Sequence, residues 1–339
     1  MSKTILIIGG TGLIGQAIYK IISNRNPNVK ILIGTRKKNL DPNQIQIDVN
    51  NLETFKLLKF HTINLIIVCT KDANNNILHY AINHKIDYID ITKPSSELFK
   101  AHSEIKNVLI DSKIVFSSGW MGGITPLLIY STGISTTEIK DIKIIVYYST
   151  KDKAGESSAD FMAENVSKPF FTYQNNLAIK TKHFLNTEKY VFEFDNQTRK
   201  VFDFDIPDIY IFNHIEKIPN VNAKLTFDSK LITSAFAKMQ KVNFFNILNF
   251  KLKKLIFGGS GSGDISAFEI VFTNYDLLKR KITLKCEKGQ AELTAFSTVL
   301  HVEKMLENLN PSGIYFSHQL HKPQQFIALL TSNKSIKIV

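Results

Sequence analysis

The 339-residue sequence predicts an α/β protein, with a doubly wound parallel sheet and an inserted α+β second domain. In the first 130 residues, short apolar runs alternate with segments of helical hydrophobic spacing, as expected of parallel strands covered by helices on both faces. After about Glu138, longer segments rich in alternating or β-branched residues predict strands with fewer helices between them. We therefore expect a first domain over residues 1–130, a second over 131–290, and helices over 291–339 that return to the first.

The first domain is predicted to begin with a buried strand, a helix and a second strand, at Thr4–Ile8, Leu13–Ser23 and Lys30–Gly34. The strands expected after them are Gln44–Asp48, Ile63–Cys69, Tyr88–Ile91 and Ile114–Ser117. Hydrophobic spacing predicts a helix at Ile77–Ile82 and the end of another at Val108–Asp111.

The second domain is predicted from its β-branched and aromatic segments. Its expected strands are Ile139–Tyr148, Tyr190–Phe194, Val201–Ile206, Ala223–Phe227, Ala267–Phe272 and Lys281–Cys286. Helices are expected near Asp160–Val166 and Leu231–Leu248. In the tail, Thr294–Leu309 predicts an amphipathic helix that Pro311 and Gly313 stop, and Pro323–Leu330 predicts a shorter one.

Composition excludes several classes of protein. Hydrophobic residues make up 44% and charged residues 21%, which is typical of a globular chain rather than a disordered one. The net charge is +12, but the lysines are scattered, so we expect a solvated surface and no nucleic-acid partner. The two cysteines cannot form a disulfide framework, and the histidines show no metal-ligand spacing, so we expect no metal.

The sequence also gives an expected location. No apolar run reaches the roughly 18 residues of a membrane-spanning helix. The apolar run at Thr4–Ile8 is shorter than the core of a signal peptide. We therefore expect a cytoplasmic protein with no integral membrane segment.

A glycine-rich turn gives the strongest functional signal. The pattern G-x-G-x-x-G occupies Gly10, Gly12 and Gly15, directly after a predicted strand and at the start of a predicted helix. In this context we expect Gly10 to permit the tight turn, Gly12 to let the backbone approach a diphosphate, and Gly15 to let the helix pack closely. An ordinary strand-to-helix turn is the alternative. The sequence predicts a Rossmann-type dinucleotide site formed by Gly10, Thr11, Gly12, Leu13, Ile14 and Gly15.

The end of the second strand indicates which dinucleotide binds. NAD enzymes usually carry Asp or Glu there to accept a hydrogen bond from the ribose. This chain has Thr35, Arg36 and Lys37, followed by Lys38, with no carboxylate. Cations favour a 2′-phosphate, so we predict NADP as the preferred cofactor, with NAD as a possible one. A solvated lysine patch is the alternative interpretation.

Two further pairs complete the predicted cofactor site. Asp48 and Val49 end the third strand and are expected beside the adenine. Cys69 and Thr70 end the next strand, at the edge of the sheet where the cofactor lies in this architecture. We interpret Cys69 as a small buried residue rather than a nucleophile.

The aromatic and basic stretch Phe244–Phe257 allows two interpretations. We favour a helix in the core or at a dimer interface. An amphipathic face that binds a membrane surface is the alternative.

Two segments after the glycine turn carry a resemblance to a known family. Ala81–Thr92 contains Tyr88-Ile89-Asp90, and Ser118–Leu128 contains a Gly-Trp-Met-Gly-Gly-Ile-Thr-Pro-Leu-Leu run. Together with the tail from Thr294 to Leu330, they resemble the saccharopine dehydrogenase (saccharopine reductase-like) family. The resemblance implies an oxidoreductase that transfers a hydride to or from a carbon–nitrogen bond of an amino-acid-derived substrate. We also expect the inserted domain to supply the substrate pocket and a homodimer contact, the dimer because two-fold assemblies are common.

Imine reduction needs a proton source, and we expect it at the carboxyl edge of the sheet. Asp90 and Lys93 are the predicted catalytic residues, although Asp90 could equally form a turn. Trp120 either lines the nicotinamide pocket or belongs to the core. One alternative function is a non-catalytic NADPH-binding or redox-sensing protein. The other is a peripheral membrane protein that uses Phe244–Phe257.

Overall fold

The structure is a computed structural model that describes residues 3–37, 41–119, 121–152, 155–258, 261 and 263–338. By contact density the chain divides into two units. The first unit comprises Met1–Ile124 and Ala291–Phe326, and the second comprises Thr125–Gln290 and Ile327–Val339. The predicted fold class is confirmed: the first unit contains a parallel sheet with flanking helices, and the second contains a mixed sheet.

The helices and strands up to residue 124 alternate along the chain. They are β1 (Thr4–Ile8), α1 (Leu13–Arg25), β2 (Lys30–Thr35), β3 (Gln44–Gln46), a 3-10 helix (Leu52–Phe60), β4 (Leu65–Val68), α2 (Asn76–Asn83), β5 (Asp87–Asp90), α3 (Ser95–Ile105) and β6 (Lys113–Phe116).

The elements of the second unit follow. They are α4 (Thr125–Tyr130), a 3-10 turn (Thr136–Glu138), β7 (Ile139–Tyr148), α5 (Glu156–Asn165), β8 (Pro169–Gln174), β9 (Leu177–Lys182), β10 (Glu188–Val191), β11 (Thr198–Asp203), α6 (Pro207–Tyr210), a π-helical turn (Ile211–Ile215), β12 (Asn220–Phe227), α7 (Lys230–Lys241), a 3-10 turn (Phe244–Asn246), α8 (Phe250–Phe257), β13 (Ser266–Asn274) and β14 (Lys279–Cys286). The tail forms α9 (Gly289–Leu306), β15 (Gly313–Phe316), a 3-10 turn (Ser317–Leu320), α10 (Pro323–Thr331) and β16 (Ile336–Ile338).

The first sheet has the strand order β15-β6-β5-β4-β1-β2-β3, and every neighbouring pair is parallel. The central strand β1 pairs with β2 on one side and with β4 on the other, so the order of the chain reverses at β1. Ile8, the last residue of β1, lies opposite Gly34 and Val68. In open α/β sheets, ligands bind outside the carboxyl ends of the strands at such a reversal.

The core of the first unit explains why its central strands are apolar on both faces. In β1, Ile5, Leu6 and Ile7 are completely buried, because helices cover both sides of the sheet. The hydrophobic cluster around β1 includes Ile18 from α1 and Val299 from α9. Burial of each large aliphatic side chain stabilises the fold by about 1.5–3 kcal/mol. This core fixes the carboxyl end of β1, where the glycine turn begins.

In the first unit, one predicted helix end is wrong and one strand was missed. α3 ends at Ile105, so the expected helix end at Val108–Asp111 is wrong; Leu109 there is 91% exposed. The strand β15 was not expected, and it pairs in parallel with β6. Its four residues are too few to show the alternation by which a strand is recognised.

The second sheet has the order β10-β11-β12-β7-β13-β14-β16, and the hairpin β8–β9 joins it through β12. β12 and β7 are parallel, whereas the other pairs are antiparallel. We expected residues 291–339 to return to the first domain. Ala291–Phe326 does lie in the first unit, but β16 adds an edge strand to the second sheet.

A hairpin and a helix end in the second unit also differ from expectation. The hairpin β8–β9 was missed, although its turn is Asn175-Asn176, with φ values of +50° and +62°. Asn tolerates this left-handed conformation, which two-residue hairpin turns require. The expected helix Leu231–Leu248 ends at Lys241, because the left-handed Asn243 (φ +55°) interrupts it.

The stretch Phe244–Phe257 is not a core helix, so that part of the interpretation is wrong. No residue of α8 is buried, and Leu255 is 77% exposed. Phe245, in the preceding 3-10 turn, is fully buried, and the Phe257 ring lies 6.2 Å from the Phe184 ring. A dimer contact through α8 stays a prediction. In the described part of the chain, no helix combines the length and the hydropathy needed to cross a membrane.

Candidate dinucleotide site

The turn between β1 and α1 has a backbone that requires glycine. Gly9 has a φ of +81°, in the left-handed region that favours glycine, and Thr11 lies exposed in the turn. A Cβ atom at Gly10 would lie 2.9 Å from Ile33 Cγ2, and one at Gly15 would lie 2.5 Å from the carbonyl oxygen of Gly9. The tight turn expected of Gly10 is therefore made by Gly9, whose backbone is left-handed. Gly10 instead permits close packing against Ile33 on β2.

The first turn of α1 leaves backbone N–H groups available. No side chain caps the helix at Gly12, and the N–H of Gln16 donates to Gly12 O at 2.9 Å as the first bond within the helix. The N–H groups of Leu13, Ile14 and Gly15 precede that bond and have no intrahelical acceptor. No acidic residue lies in this turn. The helix dipole and the free N–H groups together favour an anionic ligand.

Hydrogen bonds fix the glycine turn against the neighbouring strands. The N–H of Gly9 donates to the carbonyl oxygen of Gly34 on β2 at 3.0 Å. On the other side, the N–H of Cys69 donates to Ile8 O at 2.8 Å. A Cβ atom at Gly9 would lie 3.0 Å from Thr70 Cβ, so the residues after β4 pack directly against the turn. The structure thus brings three predicted segments of the cofactor site together.

The end of β2 places two cations beside this turn. Thr35 is the last strand residue, and its hydroxyl accepts a hydrogen bond from the N–H of Lys37 at 3.4 Å. Gln46 Nε2 donates to the carbonyl oxygen of Arg36 at 3.4 Å. The Arg36 and Lys37 side chains are exposed and pair with no carboxylate of the described residues. They are therefore free to meet an anion at this edge.

Asp48 and Val49 follow β3 at the same edge of the sheet. β3 ends at Gln46, two residues earlier than expected. Asp48 Oδ1 accepts from the N–H of Asn50 at 3.0 Å, and Val49 is buried, with its carbonyl oxygen accepting from Asn76 Nδ2 at 2.8 Å. The arrangement places a carboxylate and an apolar side chain after β3. Their contact with adenine stays a prediction.

The Cys69 side chain is partly buried beside the glycine turn, whereas a buried residue was expected. Burial raises its pKa, and the Asp90 carboxylate raises it further. A thiolate is the reactive form of cysteine, so this environment makes Cys69 a poor nucleophile. The backbone of Cys69 lies beside the glycine turn, and this contact places the residue in the candidate site.

The predicted catalytic pair, Asp90 and Lys93, lies inside the first unit. Lys93 Nζ lies 3.3 Å from Asp90 Oδ2, and the two side chains are 2% and 0% exposed, respectively. Lys93 Nζ also donates to Asn75 Oδ1 at 2.7 Å and to the carbonyl oxygen of Asp72 at 3.1 Å. Asp90 Oδ1 accepts from both the N–H and the hydroxyl of Thr92 at 2.7 Å. The hydrogen bonds of both side chains run to other groups of the protein. That Asp90 or Lys93 transfers a proton to a substrate stays a prediction.

Tyr88 and Asp72 belong to this buried cluster and were not predicted as site residues. The Tyr88 hydroxyl donates to Asp90 Oδ2 at 2.7 Å. Burial, and then the Asp90 carboxylate, raise the pKa of Tyr88 well above its usual value. Burial also raises the pKa of Asp72, against the N–H groups of Ile77 and Asn76 that donate to its carboxylate. Tyr88 lies two residues before Asp90 on β5, in the Tyr-Ile-Asp segment that carried the resemblance, whereas Asp72 lies in the loop after β4 and gave no sequence signal.

The loop after β6 is also packed too closely for side chains. A Cβ atom at Gly119 would lie 1.8 Å from the carbonyl oxygen of Ile91. Gly122 has a φ of +59°, and a Cβ atom there would lie 2.0 Å from the Ser297 hydroxyl. His301 Nε2 donates to the carbonyl oxygen of Gly122 at 2.9 Å. This loop is therefore fixed in position at the carboxyl end of the sheet.

The buried His301 carries its proton on Nε2, because the Gly122 carbonyl can only accept. Its Nδ1 therefore accepts from His321 Nε2, at 2.8 Å. Burial lowers the pKa of His301 to about 4, against the raising effect of the Gly122 bond, and His318 lowers it further. Burial likewise lowers the pKa of His321 to about 2.

We expect acid to destabilise the first unit through His301. Since its folded pKa lies below the ordinary value of about 6.5, the unfolded chain binds more protons as pH falls below 6.5. The loss grows until about pH 4, and it amounts to about 2 kcal/mol between pH 7 and pH 5. His301→Gln keeps a donor for Gly122 and should lose about 2 kcal/mol less over that range in urea unfolding. Equal losses for the two proteins would refute the assignment.

Trp120, the predicted pocket residue, lies outside the described residues. Within the described ranges, no group of three or more His, Cys, Asp or Glu side chains is arranged to hold a metal ion.

Comparison with known proteins gives a structural result. No family model and no curated protein sequence matches the chain. Saccharopine dehydrogenase (L-Glu forming) from Saccharomyces cerevisiae aligns with a TM-score of 0.66 at 11% identity, over 100% of both chains. A meso-DAPDH mutant with DAP from Clostridium tetani aligns at 13% identity over 96% of this chain and 95% of that chain, with a TM-score of 0.49. This score is too low to show a shared fold. The chain therefore has the fold of saccharopine dehydrogenase, as the sequence resemblance predicted.

Proposed function

We propose that the protein is an NADP-preferring oxidoreductase that transfers a hydride to or from a carbon–nitrogen bond of an amino-acid-derived substrate. The observation that carries the proposal is the glycine turn at the strand-order reversal. There, the free N–H groups of the first turn of α1 lie beside the exposed Arg36 and Lys37. The likeness to saccharopine dehydrogenase supports the substrate class by analogy of fold only.

The residues present fit a dinucleotide. The N–H groups of Leu13, Ile14 and Gly15 would hold the diphosphate, and the close packing at Gly10 and Gly15 fixes their alignment. Arg36 and Lys37 would hold the 2′-phosphate. When bound, a nicotinamide supplies or accepts the hydride. The chain's own contribution is to orient the cofactor along the carboxyl edge of the sheet.

We assign Asp90 and Lys93 a positioning role within this function. Their side chains bond to Thr92, Asn75 and the Asp72 carbonyl, on the segments that follow β4 and β5. The cluster would therefore hold two segments that border the cofactor edge. Direct proton transfer by either residue requires the cluster to open, since both side chains are buried.

The test of the cofactor assignment is Arg36→Ala. We expect the Kd for NADPH to rise by about 10–100-fold, since a hydrogen bond between charged groups is lost, while the Kd for NADH stays within about twofold. Calorimetric titration of both dinucleotides measures this difference. Lys20→Ala, which removes an exposed cation on α1, is the matched control and should change neither value. Equal effects of Arg36→Ala on the two dinucleotides would exclude NADP preference.

The test of the reaction is NADPH oxidation with a panel of keto acids combined with amino acids. NADPH oxidation that requires both the keto acid and the amino acid supports imine reduction. Turnover with a keto acid alone would contradict the proposed carbon–nitrogen chemistry.

A second candidate is a non-catalytic NADPH-binding or redox-sensing protein. The burial of Asp90 and Lys93 favours it, because neither predicted proton donor is exposed to a substrate. Tight NADPH binding without turnover in the same panel would select this candidate.

We further propose that the chain forms a homodimer, since two-fold assemblies are the commonest among soluble oligomers. Light scattering on the purified chain measures its mass in solution. A monomer mass near 38.5 kDa at all concentrations would exclude the dimer.

A further inference from the structure

A cationic pocket lies in the second unit, between the hairpin β10–β11 and the start of α7. Its volume is about 340 Å³, within the range that holds small ligands. Three lysines line it, Lys189, Lys200 and Lys230, together with the hydroxyls of Thr198 and Ser234. The residues of this cationic pocket all belong to the second unit, whereas those of the cofactor turn belong to the first.

Two of the lysines occupy an unfavourable position. Lys189 and Lys200 lie directly opposite each other on the antiparallel strands β10 and β11. Like charges at directly opposed positions repel and destabilise a sheet. Both side chains are exposed, and neither pairs with a carboxylate of the described residues. The hairpin therefore keeps two positive charges together, with no counter-charge from the residues that the structure describes.

The third lysine is also placed against the local electrostatic preference. Lys230 is the first residue of the 12-residue helix α7, whose first turn contains no acidic residue. The N-terminal end of a helix carries partial positive charge and favours anions, so a lysine is unfavourable there. Thr198 and Ser234 add hydroxyls with no partner among the described residues.

The carboxylates nearest in sequence to the pocket lysines have other partners. Glu188 pairs with Lys143 at 2.8 Å, and Asp195 pairs with Arg199. Asp228 accepts from the N–H of Thr150 at 3.0 Å and from the N–H of Ser229. Arg199, the partner of Asp195, also lines the pocket, and none of the described lining residues carries a carboxylate. The excess positive charge at the cationic pocket is thus not neutralised within this part of the described chain.

We propose that the cationic pocket binds the phosphate group of a small phosphorylated compound. Two placements that break local rules, an opposed lysine pair and a lysine at a helix N-terminus, meet at one pocket. Such coincidences mark functional sites, because a bound anion turns each repulsion into an attraction. A phosphate monoester carries about two negative charges and accepts from lysine and hydroxyl donors.

The test measures the Tm of the full chain with inorganic pyrophosphate, against sodium chloride at equal ionic strength. We expect pyrophosphate to raise the Tm by about 2–4 °C, because a ligand that binds only the folded state stabilises it. Lys200→Glu should raise the Tm without ligand, since it converts the repelling pair into an attracting one, and should lose the part of the pyrophosphate response that the cationic pocket supplies. Lys230→Gln should weaken the pyrophosphate response and leave the Lys189–Lys200 pair unchanged.

Two control variants separate this pocket from other cationic sites. Lys180→Glu makes the same charge change at an exposed strand position outside the pocket and should respond as the wild type does. Gly15→Ala disturbs the N–H groups of the cofactor turn, the other expected site for pyrophosphate, and should keep the part of the response that Lys200→Glu removes. A response that is absent, or that Lys180→Glu removes as fully as Lys200→Glu, overturns the proposal.

The source of the phosphate is then distinguished with vesicles. Co-sedimentation of the wild type, but not of Lys200→Glu, with phosphatidylcholine vesicles that contain a phosphoinositide identifies a lipid headgroup. A pyrophosphate response without co-sedimentation identifies a soluble phosphorylated compound. Either result supports phosphate recognition by the cationic pocket.

Discussion

Gly15→Ala is expected to abolish dinucleotide binding and to destabilise the first unit. The added Cβ atom would lie 2.5 Å from Gly9 O and 2.6 Å from Gly10 Cα, both backbone atoms that cannot rotate away. The helix must therefore shift, and the N–H groups of its first turn lose their alignment. We expect the Kd for NADPH to rise roughly 100-fold or more, and stability to fall by about 1–3 kcal/mol.

Gly12→Ala is the matched control for this substitution. Gly12 has a φ of −77°, which alanine adopts freely, and its Cβ atom would meet only Gly9 O, at 3.3 Å. This variant should keep its stability in urea unfolding and should lose affinity only through obstruction of the diphosphate. If Gly15→Ala unfolds and binds as the wild type does, the turn does not have the packing described above.

The second large effect is expected from Asp90→Ala. Removal of the carboxylate leaves the Lys93 ammonium buried without its counter-charge and leaves the Tyr88 hydroxyl without its acceptor. Loss of one partner of a buried ion pair costs about 3–5 kcal/mol. Urea unfolding at pH 7 measures the change. A loss below about 1 kcal/mol would show that the cluster is not the closed network seen here.

Lys93→Met supplies the comparison. Asp90 then keeps three donors, the Tyr88 hydroxyl and the two groups of Thr92, so we expect a smaller loss of stability than for Asp90→Ala. A double-mutant cycle between Asp90 and Lys93 gives their coupling energy. If the pair acts by positioning, Lys93→Met should raise KM and leave the pH profile of kcat unchanged. A shifted kcat profile would instead show direct proton transfer.

The sequence predicted the parts of the fold that local chemistry controls. The fully apolar β1, the glycine pattern after it and the helical spacing of α1 are local features, and the structure confirms the elements that they predicted. Short elements without periodic patterns were missed. β15 has four residues, and the hairpin β8–β9 gave a signal only at Asn175-Asn176.

Within the candidate site, the sequence identified which residues lie at strand ends but not what surrounds them. Asp90 was recognised at the carboxyl end of a strand. Tyr88, Thr92 and Lys93 contact Asp90 within one short segment. That Lys93 also bonds to Asn75 and to the Asp72 carbonyl, and that the cluster is buried, depends on packing against the segment after β4. Exposure and pairing of a side chain are properties of the packed state, so a sequence pattern cannot specify them.

What the sequence alone determined is the glycine turn, the cations that follow β2 and the alternation that builds a parallel sheet. Each follows from the conformational and electrostatic preferences of neighbouring residues. What only the tertiary structure decided is the left-handed role of Gly9, the burial of the Asp90–Lys93 pair and the meeting of Lys189 with Lys200. Burial depends on packing between distant segments, the meeting of the two lysines depends on strand register, and the conformation of Gly9 depends on how the turn packs against its neighbours, so a sequence pattern specifies none of them.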